Sequence, residues 1–552
     1  MNYFDHDKYQ EQEICDVMHR ISGIKSEEYK SSQKEKQWIK YIEETQRKQI
    51  ISQYKIGKYI VDGFDGENIY QFNGCFWHGC NQCFPTGTNC VNNQSFSYLY
   101  KRTLNIEEQL KKKHNVISIW EHDFDKLAKV ENMPSIDDAD LPLNTRHAMF
   151  GGRTETFTSY AKNVKLYYGD FVSLYPTVNK YDRYPSGKCK TIKNPDKWDN
   201  NWIGFAKITV KPNKLYAPVL PSKRAPGKGP CKLTFDCFEK TGTWATVEIN
   251  YALSQGYEIE KIHEVRTYDM YIDGLFKEYV DMFMKIKIEA TGLPGGVAKK
   301  SHCKYVYDKC GVKIDPDKIC KNEGLRYVAK LCLNSLWGKF GQNLDVDDVV
   351  YIDNELDYFK YFDKARRYEI LNNKIVYMKI GGKKKPSFRT SMCVAAFTTA
   401  HARIRLHKKI TEILNIGGKI YYCDTDSVIF WLPDGVQFDF GEALGEFKNE
   451  LKVGEFISDF VSIGAKAYAY YTTLGNETIK LKGIPEKNRK ELFDTMMKIV
   501  KGEKVSENVP TGFTFKVDSM HQMFTQYTKK DISNTLDKRQ FFSDGTSLPF
   551  GH

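Results

Sequence analysis

Apolar and polar positions change rhythm several times along this chain. Residues 26–50 (SEEYKSSQKEKQWIKYIEETQRKQI) are charged and helix-favouring, and Trp38, Ile39 and Ile42 make a small apolar face, which predicts an amphipathic helix. From 54 to 77 the rhythm shortens. The runs YKIGKYIVDGF and NIYQFNGCFW are β-prone and separated by Gly and Asp, which predicts a hairpin. A cysteine-rich turn region follows as far as Cys90, then a helical stretch around 100–113, then a buried strand from Asn115 to Trp120. Residues 135–147 (SIDDADLPLNTRH) are acidic, then proline-containing, and read as a linker. From 148 onward the chain is aromatic-rich and alternates short strands with helices.

Composition narrows the class. With 552 residues, 41% of them hydrophobic and 28% charged, the chain is globular rather than disordered. No apolar run approaches the roughly 18–20 residues of a membrane span, and the opening MNYFDHDKYQEQE is polar and acidic. The expectation is an intracellular protein with no signal peptide and no membrane partner. A net charge of +12 fits a polyanion-binding surface. Fourteen cysteines are too sparse for a disulfide scaffold and read as reduced thiols or metal ligands.

Three segments carry candidate chemistry. LYYGDFVSLYPTV (166–178) places Asp170 at the end of a β-prone run, and KIYYCDTDSVIFWL (419–432) sets Asp424 and Asp426 at the centre of an apolar hairpin pattern. Carboxylates crowded among apolar flanks repel each other and lose solvation unless a cation neutralises them. Hard oxygen ligands suit Mg²⁺, and two such ions form a clamp for phosphoryl transfer. In GLRYVAKLCLNSLWGKFGQN (324–343), Arg326, Lys330 and Asn334 are spaced four apart and share one face of a helix, while Leu331, Leu333, Leu336 and Trp337 supply packing. Such a face can hold a triphosphate and a sugar or base edge. Singly, each has a plainer explanation: a cap for Asp170, a hairpin turn for Asp424 and Asp426, a solvated face for the cations. Their joint occurrence argues for a site.

The segments DFVSLYP (170–176), KLCLNSLWG (330–338) and YCDTDS (422–427) resemble motifs A, B and C of family B DNA polymerases, in that family's order. GAKAYAYY (464–471) resembles the thumb KxY motif, and IKLKGI (479–484) follows it. FGGRTE (150–155) and DKRQFFSDGTSLPFGH (537–552) are similar to elements of the organellar, viral and protein-primed branch. The resemblance spans about residues 146–552. It implies that Asp170 and Asp426 hold two Mg²⁺ ions, with Asp424 supporting hairpin and metal site. It implies nucleotide contacts from Ser173, Leu174, Tyr175 (as gate against a ribose), Arg326, Lys330, Asn334 and, more weakly, Lys318. DNA contacts are implied for Gly151, Gly152, Arg153, Thr425, Lys466, Tyr468 and Lys482. Motif B commonly has Tyr where Trp337 stands, and Met149 replaces the leading aromatic of the glycine-rich element. The long interval from Asp170 to Lys330 leaves room for insertions that protein-primed enzymes use for strand displacement and terminal-protein contact.

The front third differs from the usual exonuclease. Asp65-Gly66-Glu67 matches the exonuclease Asp-x-Glu pattern literally, but its glycine-flanked setting reads as a hairpin tip. Proofreading is therefore not expected. Instead, GCFWH (74–78) and the later WE (120–121) resemble very short patch repair endonucleases of the restriction-endonuclease-like fold. This implies a metal-binding Asp62 and a catalytic His78. Asn73 stands where that family has histidine, and Gln71 where many such nucleases carry a second acid. Cys75, Cys80, Cys83 and Cys90, spaced C-x4-C-x2-C-x6-C, suit a structural tetrahedral Zn²⁺.

The expected fold is α+β: a right-hand polymerase of palm, fingers and thumb preceded by a small restriction-endonuclease-like α/β domain. The expected boundaries are 1–48 helical segment, 49–134 nuclease-like domain, 135–147 linker, 148–317 palm start and insertion, 318–343 fingers helix, 344–460 palm and 461–552 thumb. The expected partners are a DNA template-primer, deoxynucleoside triphosphates and a candidate terminal-protein primer. Two alternatives stay open: a catalytically degenerate DNA-binding remnant, and a nuclease whose polymerase module only positions DNA.

Overall fold

A computed structural model describes residues 32–552 apart from 47, 49, 58, 90–93, 132–141, 225–230, 344–347, 363–364, 373–374, 381–389, 486–488, 490–491, 504–507 and 518–521. The described residues divide into two compact units: those within 25–142 together with 343–387, and those within 143–342 together with 388–552. The architecture is α+β, as expected.

In the smaller unit, Trp38, Ile39 and Ile42 do form the buried face of a helix, Gln33–Gln46. The predicted hairpin is a three-stranded meander: Ile51–Ile56, Tyr59–Phe64 and Asn68–Asn73 pair antiparallel. The helix Phe96–Lys111 then leads to Asn115–Trp120, which pairs parallel with Asn68–Asn73. Alternation along Asn68–Asn73 sends Tyr70 and Phe72 to one side, against Trp38 and Phe124, and Ile69 to the other, against Leu110. Asn68–Asn73 is thus buried on both sides, whereas Ile51–Ile56 is largely exposed and Asn115–Trp120, expected to be buried, is only half-buried. The same unit holds a three-stranded antiparallel sheet of Asp348–Ile352, Ile375–Ile380 and Ala365–Asn372.

The larger unit is organised by an antiparallel sheet in the order Glu477–Leu481, Ala467–Thr472, Ile457–Gly464, Leu166–Phe171, Ser427–Trp431, Lys419–Asp424, Thr154–Thr156. Two helices, Leu174–Tyr181 and Met392–Asn415, cover one face: Leu174, Val178, Leu406 and Ile410 pack on Phe171, Ile420, Val428 and Phe430. A register shift between Ile420 and Tyr422 reverses the alternation there. Ile420 thus joins the helix-covered core, while Tyr422 joins Tyr168, Tyr468 and Tyr470 in a separate aromatic cluster. A second sheet (Tyr184–Lys193, Glu258–Ile272, Gly204–Lys211, Lys240–Ala245) fills much of the interval between Asp170 and Lys330. Three helices follow it: Lys277–Glu289, Lys299–Cys310 and Glu323–Phe340. A two-stranded ribbon, Asn508–Val517 with Met523–Asp531, lies late in the chain. The basic run Lys383–Lys385 and most of the proposed linker fall outside the described residues.

Candidate active site

Strand register brings the distant acids together. Asp170 lies opposite Ser427, and Ser427 closes a hairpin opposite Asp424. Between them Thr425 takes a left-handed φ of 65°, and the Phe171 amide donates to the Asp426 carbonyl at 2.8 Å. The strand carrying Asp170 ends at Phe171, and Ser173, at φ 57° and ψ 60°, turns the chain into the helix Leu174–Tyr181. The first amides of that helix, from Leu174 onward, have no intrahelical partner.

The carboxylates differ in their surroundings. Burial pushes the Asp170 carboxyl up to about 7, and the charges of Asp426, Glu450 and Asp424 add to this against Lys330. Burial and the charge of Asp424 push Asp426 up to about 6. Two partly buried acids that each favour protonation mark a site short of positive charge, a donor set that fits divalent cations. Asp424 is already matched. Its Oδ1 accepts from Lys466 Nζ at 2.6 Å, Thr154 Oγ1 at 3.0 Å and Thr425 Oγ1 at 3.1 Å.

The glycine-rich element supports the hairpin tip. The Thr425 amide donates to the Arg153 carbonyl at 2.6 Å, and a Cβ on Gly152 would stand 2.7 Å from Thr425 Cγ2. That close approach requires glycine. Gly151 is exposed, with nothing within 4 Å of where a Cβ would be. Arg153 corrects an expectation. It is 2% exposed, with its guanidinium bound to Glu155 at 2.6 and 2.8 Å and to the Pro218 carbonyl at 2.8 Å. It braces the element from inside and offers no donor to DNA.

Arg326, Lys330 and Asn334 line one cleft of about 560 Å³ with Thr291, Lys321 and Tyr327. Leu333 is buried beneath this helix, but Leu331, expected to pack, is 54% exposed. Tyr175 stacks on Trp337 with ring centroids 5.1 Å apart and planes 15° apart. Lys318 is not among the residues that line this cleft. It ends a short turn, is exposed, and its Nζ lies 3.9 Å from Asp315. The third cation facing Arg326 and Lys330 is instead Lys287, on the helix Lys277–Glu289. Its Nζ donates to Ser173 Oγ at 2.9 Å, and burial together with the charges of Lys330 and Arg326 pulls it down to about 8. Its ammonium thus meets a neutral hydroxyl and feels the charges of Lys330 and Arg326, a setting that a bound anion would relieve. The sequence held a signal for it. Val280, Met284 and Lys287 stand at i, i+4 and i+7, and the first two are core residues.

In the KxY segment, Lys466 has φ 60°, donates its amide to Tyr422 Oη at 2.8 Å, and accepts from the Lys482 amide at 3.0 Å. Tyr468 is 5% exposed, and its hydroxyl lies 3.2 Å from that of Tyr168.

In the smaller unit, Cys75, Cys80, Cys83 and His122 place their ligand atoms within 4.8 Å of one another. His122 Nδ1 lies 3.2 Å from Cys75 Sγ and 3.5 Å from Cys80 Sγ, while its Nε2 faces Asp123 Oδ2 at 3.2 Å. Three sulfurs, one imidazole and a carboxylate behind the imidazole fit tetrahedral zinc. Cys90, expected as the fourth ligand, lies outside the described residues; His122 escaped notice because it is remote in sequence. Asp62 accepts from the Phe72 amide at 2.7 Å and is pushed up to about 8 by burial and by Glu35, a buried acid that sequence reading passed over. His78 faces elsewhere, its Nδ1 3.2 Å from Thr103 Oγ1, so the structure gives Asp62 and His78 different partners. Asn73 donates to Glu107 at 2.8 Å. Asp65 accepts from the Glu67 and Asn68 amides, which makes Asp65–Glu67 a turn.

Comparison with known proteins completes the description. Among curated proteins, a probable DNA polymerase of Podospora anserina is 28% identical over 368 residues, covering 64% of this chain and 29% of its own length. One of Neurospora intermedia is 26% identical over 382 residues, covering 66% and 35%. This chain therefore spans about a third of these relatives. Among solved structures, a Phi29 DNA polymerase complexed with primer-template DNA and incoming nucleotide aligns with a TM-score of 0.48 and 18% identity, covering 71% of this chain and 62% of that one. The family model described as DNA polymerase type B, organellar and viral, matches residues 110–296 and 298–411, more than half of the chain, and the chain belongs to that family.

Proposed function

We propose that this chain is a DNA-templated DNA polymerase that extends a primer 3′-hydroxyl with deoxynucleotides. The observation that carries this is the convergence of Asp170 and Asp426, two mutually repelling carboxylates under the field of Lys330, which lines a cleft with Arg326 while Lys287 faces both cations. Mg²⁺ held by Asp170 and Asp426 would supply activation of the 3′-hydroxyl and charge neutralisation at the phosphates. The chain's own residues do the remaining work. Lys330, Arg326 and Lys287 bind the triphosphate, with the helix start at Leu174 and Tyr175 as a second anion-binding element. Tyr175, held by Trp337, lies under the sugar and rejects a 2′-hydroxyl. Asn334 meets the nascent base pair. Gly151, Thr425, Lys466 and Lys482 border the primer, and Tyr468, buried against Tyr168, supports the strand that follows Lys466. The test is primer extension by purified protein with Mg²⁺ and deoxynucleotides, with Asp426→Asn as control. Extension that is lost in the control supports the reading; a wild-type protein that binds primer-template without extending it makes the chain a remnant.

For the smaller unit we propose a structural Zn²⁺ on Cys75, Cys80, Cys83 and His122 and a nuclease-like fold retained for holding DNA. Asn73, which stands where the very short patch repair endonucleases have a histidine, is buried and committed to Glu107, which argues against cleavage. The sheet between Asp170 and Lys330 is the candidate contact for a terminal protein. Extension from a protein-linked nucleotide tests that role, and a strict need for a nucleic-acid primer counts against it.

A further inference from the structure

The strand Thr154–Thr156 stands at the edge of the sheet, paired on one side only, with Lys419–Asp424. Its other side is met by residues nearly 400 positions later in the sequence. Lys538 Nζ donates to the Thr154 carbonyl at 2.8 Å, while the hydroxyl of the same Thr154 donates to Asp424 at 3.0 Å. Lys538 is pulled below the ordinary lysine range by burial and feels Glu155 and Asp537. The next residue, Arg539, is 2% exposed. It donates to Ser547 Oγ at 2.8 Å and the Tyr216 carbonyl at 3.0 Å, lies over the Phe157 ring at 4.4 Å, and shares Glu155 with Arg153. Ser547 in turn donates to the Phe157 carbonyl at 2.7 Å.

A buried cation is costly unless well-placed hydrogen-bond acceptors or a counter-charge offset its lost hydration. Here two consecutive cations converge on one three-residue strand. Glu155 is that strand's middle residue and lies opposite Cys423. Arg153, which precedes it, presents its carbonyl to the Thr425 amide. The segment from Lys538 to Ser547 therefore grips the back of the strand whose front holds Asp424 and Thr425.

We propose that Lys538 and Arg539 are positioning residues for the Asp424–Asp426 hairpin, setting the placement of its carboxylates through Thr154, Glu155 and Arg153. The inference rests on the polymerase reading for its kinetic consequence and on the geometry alone for its effect on cation binding. Without the ammonium, the Thr154 carbonyl loses its partner, the strand shifts, and the hairpin tip presents its carboxylates out of register. Losing a group that orients metal ligands costs about 10- to 100-fold in metal affinity or activity.

The experiment uses the full chain carrying Lys538→Met, Lys538→Arg or Arg539→Lys, each checked for thermal unfolding. Mn²⁺ binding is measured by electron paramagnetic resonance without nucleotide, and kcat and nucleotide KM by primer extension. Lys538→Met should weaken Mn²⁺ binding about tenfold and lower kcat by a similar factor with nucleotide KM unchanged, and Lys538→Arg should recover most of both. Unchanged Mn²⁺ binding in a folded Lys538→Met, or an activity loss that merely tracks the folded fraction, overturns the proposal. Should Lys538→Met be too unstable to assay, Arg539→Lys carries the same expectation and the same refutation. A wild type that extends no primer, with Mn²⁺ binding still sensitive to Lys538→Met, sinks the polymerase reading and leaves the positioning role standing.

Discussion

Lys466 Nζ and Asp424 Oδ1 are 2.6 Å apart, so one of the three motif acids already has its counter-charge in the protein. This separates Asp424 from Asp170 and Asp426 in kind. Asp170→Asn and Asp426→Asn should reduce primer extension to background. Asp424→Asn should retain measurable activity, with Lys466 released and primer-terminus binding weakened. Steady-state kinetics with varied primer-template checks this, and equal loss in all three variants would refute the distinction.

Lys287, not Lys318, should be the third triphosphate cation. Removing a hydrogen bond to a charged group costs about 1.5–3 kcal/mol, so Lys287→Met should raise nucleotide KM roughly 10- to 100-fold while Lys318→Met leaves it unchanged. The pH dependence has a definite sign. Lys287 has a pKa near 8 in the nucleotide-free protein, so it carries charge below pH 8 and loses it above. Wild-type nucleotide KM should rise as pH passes from 7.5 to 9, and this limb should flatten in Lys287→Met.

Gly152→Ala should be poorly tolerated although glycine here needs no unusual φ. The added methyl meets Thr425 at 2.7 Å on the very turn that separates Asp424 from Asp426. A shift of about 1 Å at a reacting centre can cost about a hundredfold in rate, which is the expected fall in kcat. Gly151→Ala, in open space, serves as the comparison.

Zinc should be present at one equivalent in purified protein. His122→Ala and Cys80→Ala should each abolish it and lower the unfolding temperature of the smaller unit, read by metal analysis and calorimetry. Zinc retained in His122→Ala would remove imidazole from the ligand set.

His407 is buried, donates to the Ala217 carbonyl and faces the Tyr251 hydroxyl; burial pulls it down to about 4. The unfolded chain takes up this proton near pH 6.5 and the folded chain only near 4. The stability tied to the neutral ring is therefore whole above pH 6.5 and is lost as pH falls from 6.5 to 4, by about 3 kcal/mol in all. Denaturant unfolding of wild type and His407→Gln across that range checks it; parallel curves would refute it.

Much of this protein was readable along the chain, because local patterns report local structure. The apolar stripe at Trp38, Ile39 and Ile42, the strand Asn115–Trp120 and the helix carrying Arg326, Lys330 and Asn334 depend on periodicity, and motifs in a given order point to a family. What the tertiary structure alone decided are the pairings between segments far apart. Asp424 turns to Lys466 because strand register and one bulge put them there. Arg153 is interior because Glu155 and Pro218 close over it. Lys287 joins Lys330, and His122 joins three cysteines, because helix and strand packing bring them together. Side-chain partners across such distances are set by burial and electrostatics in three dimensions, and no spacing in one dimension encodes them.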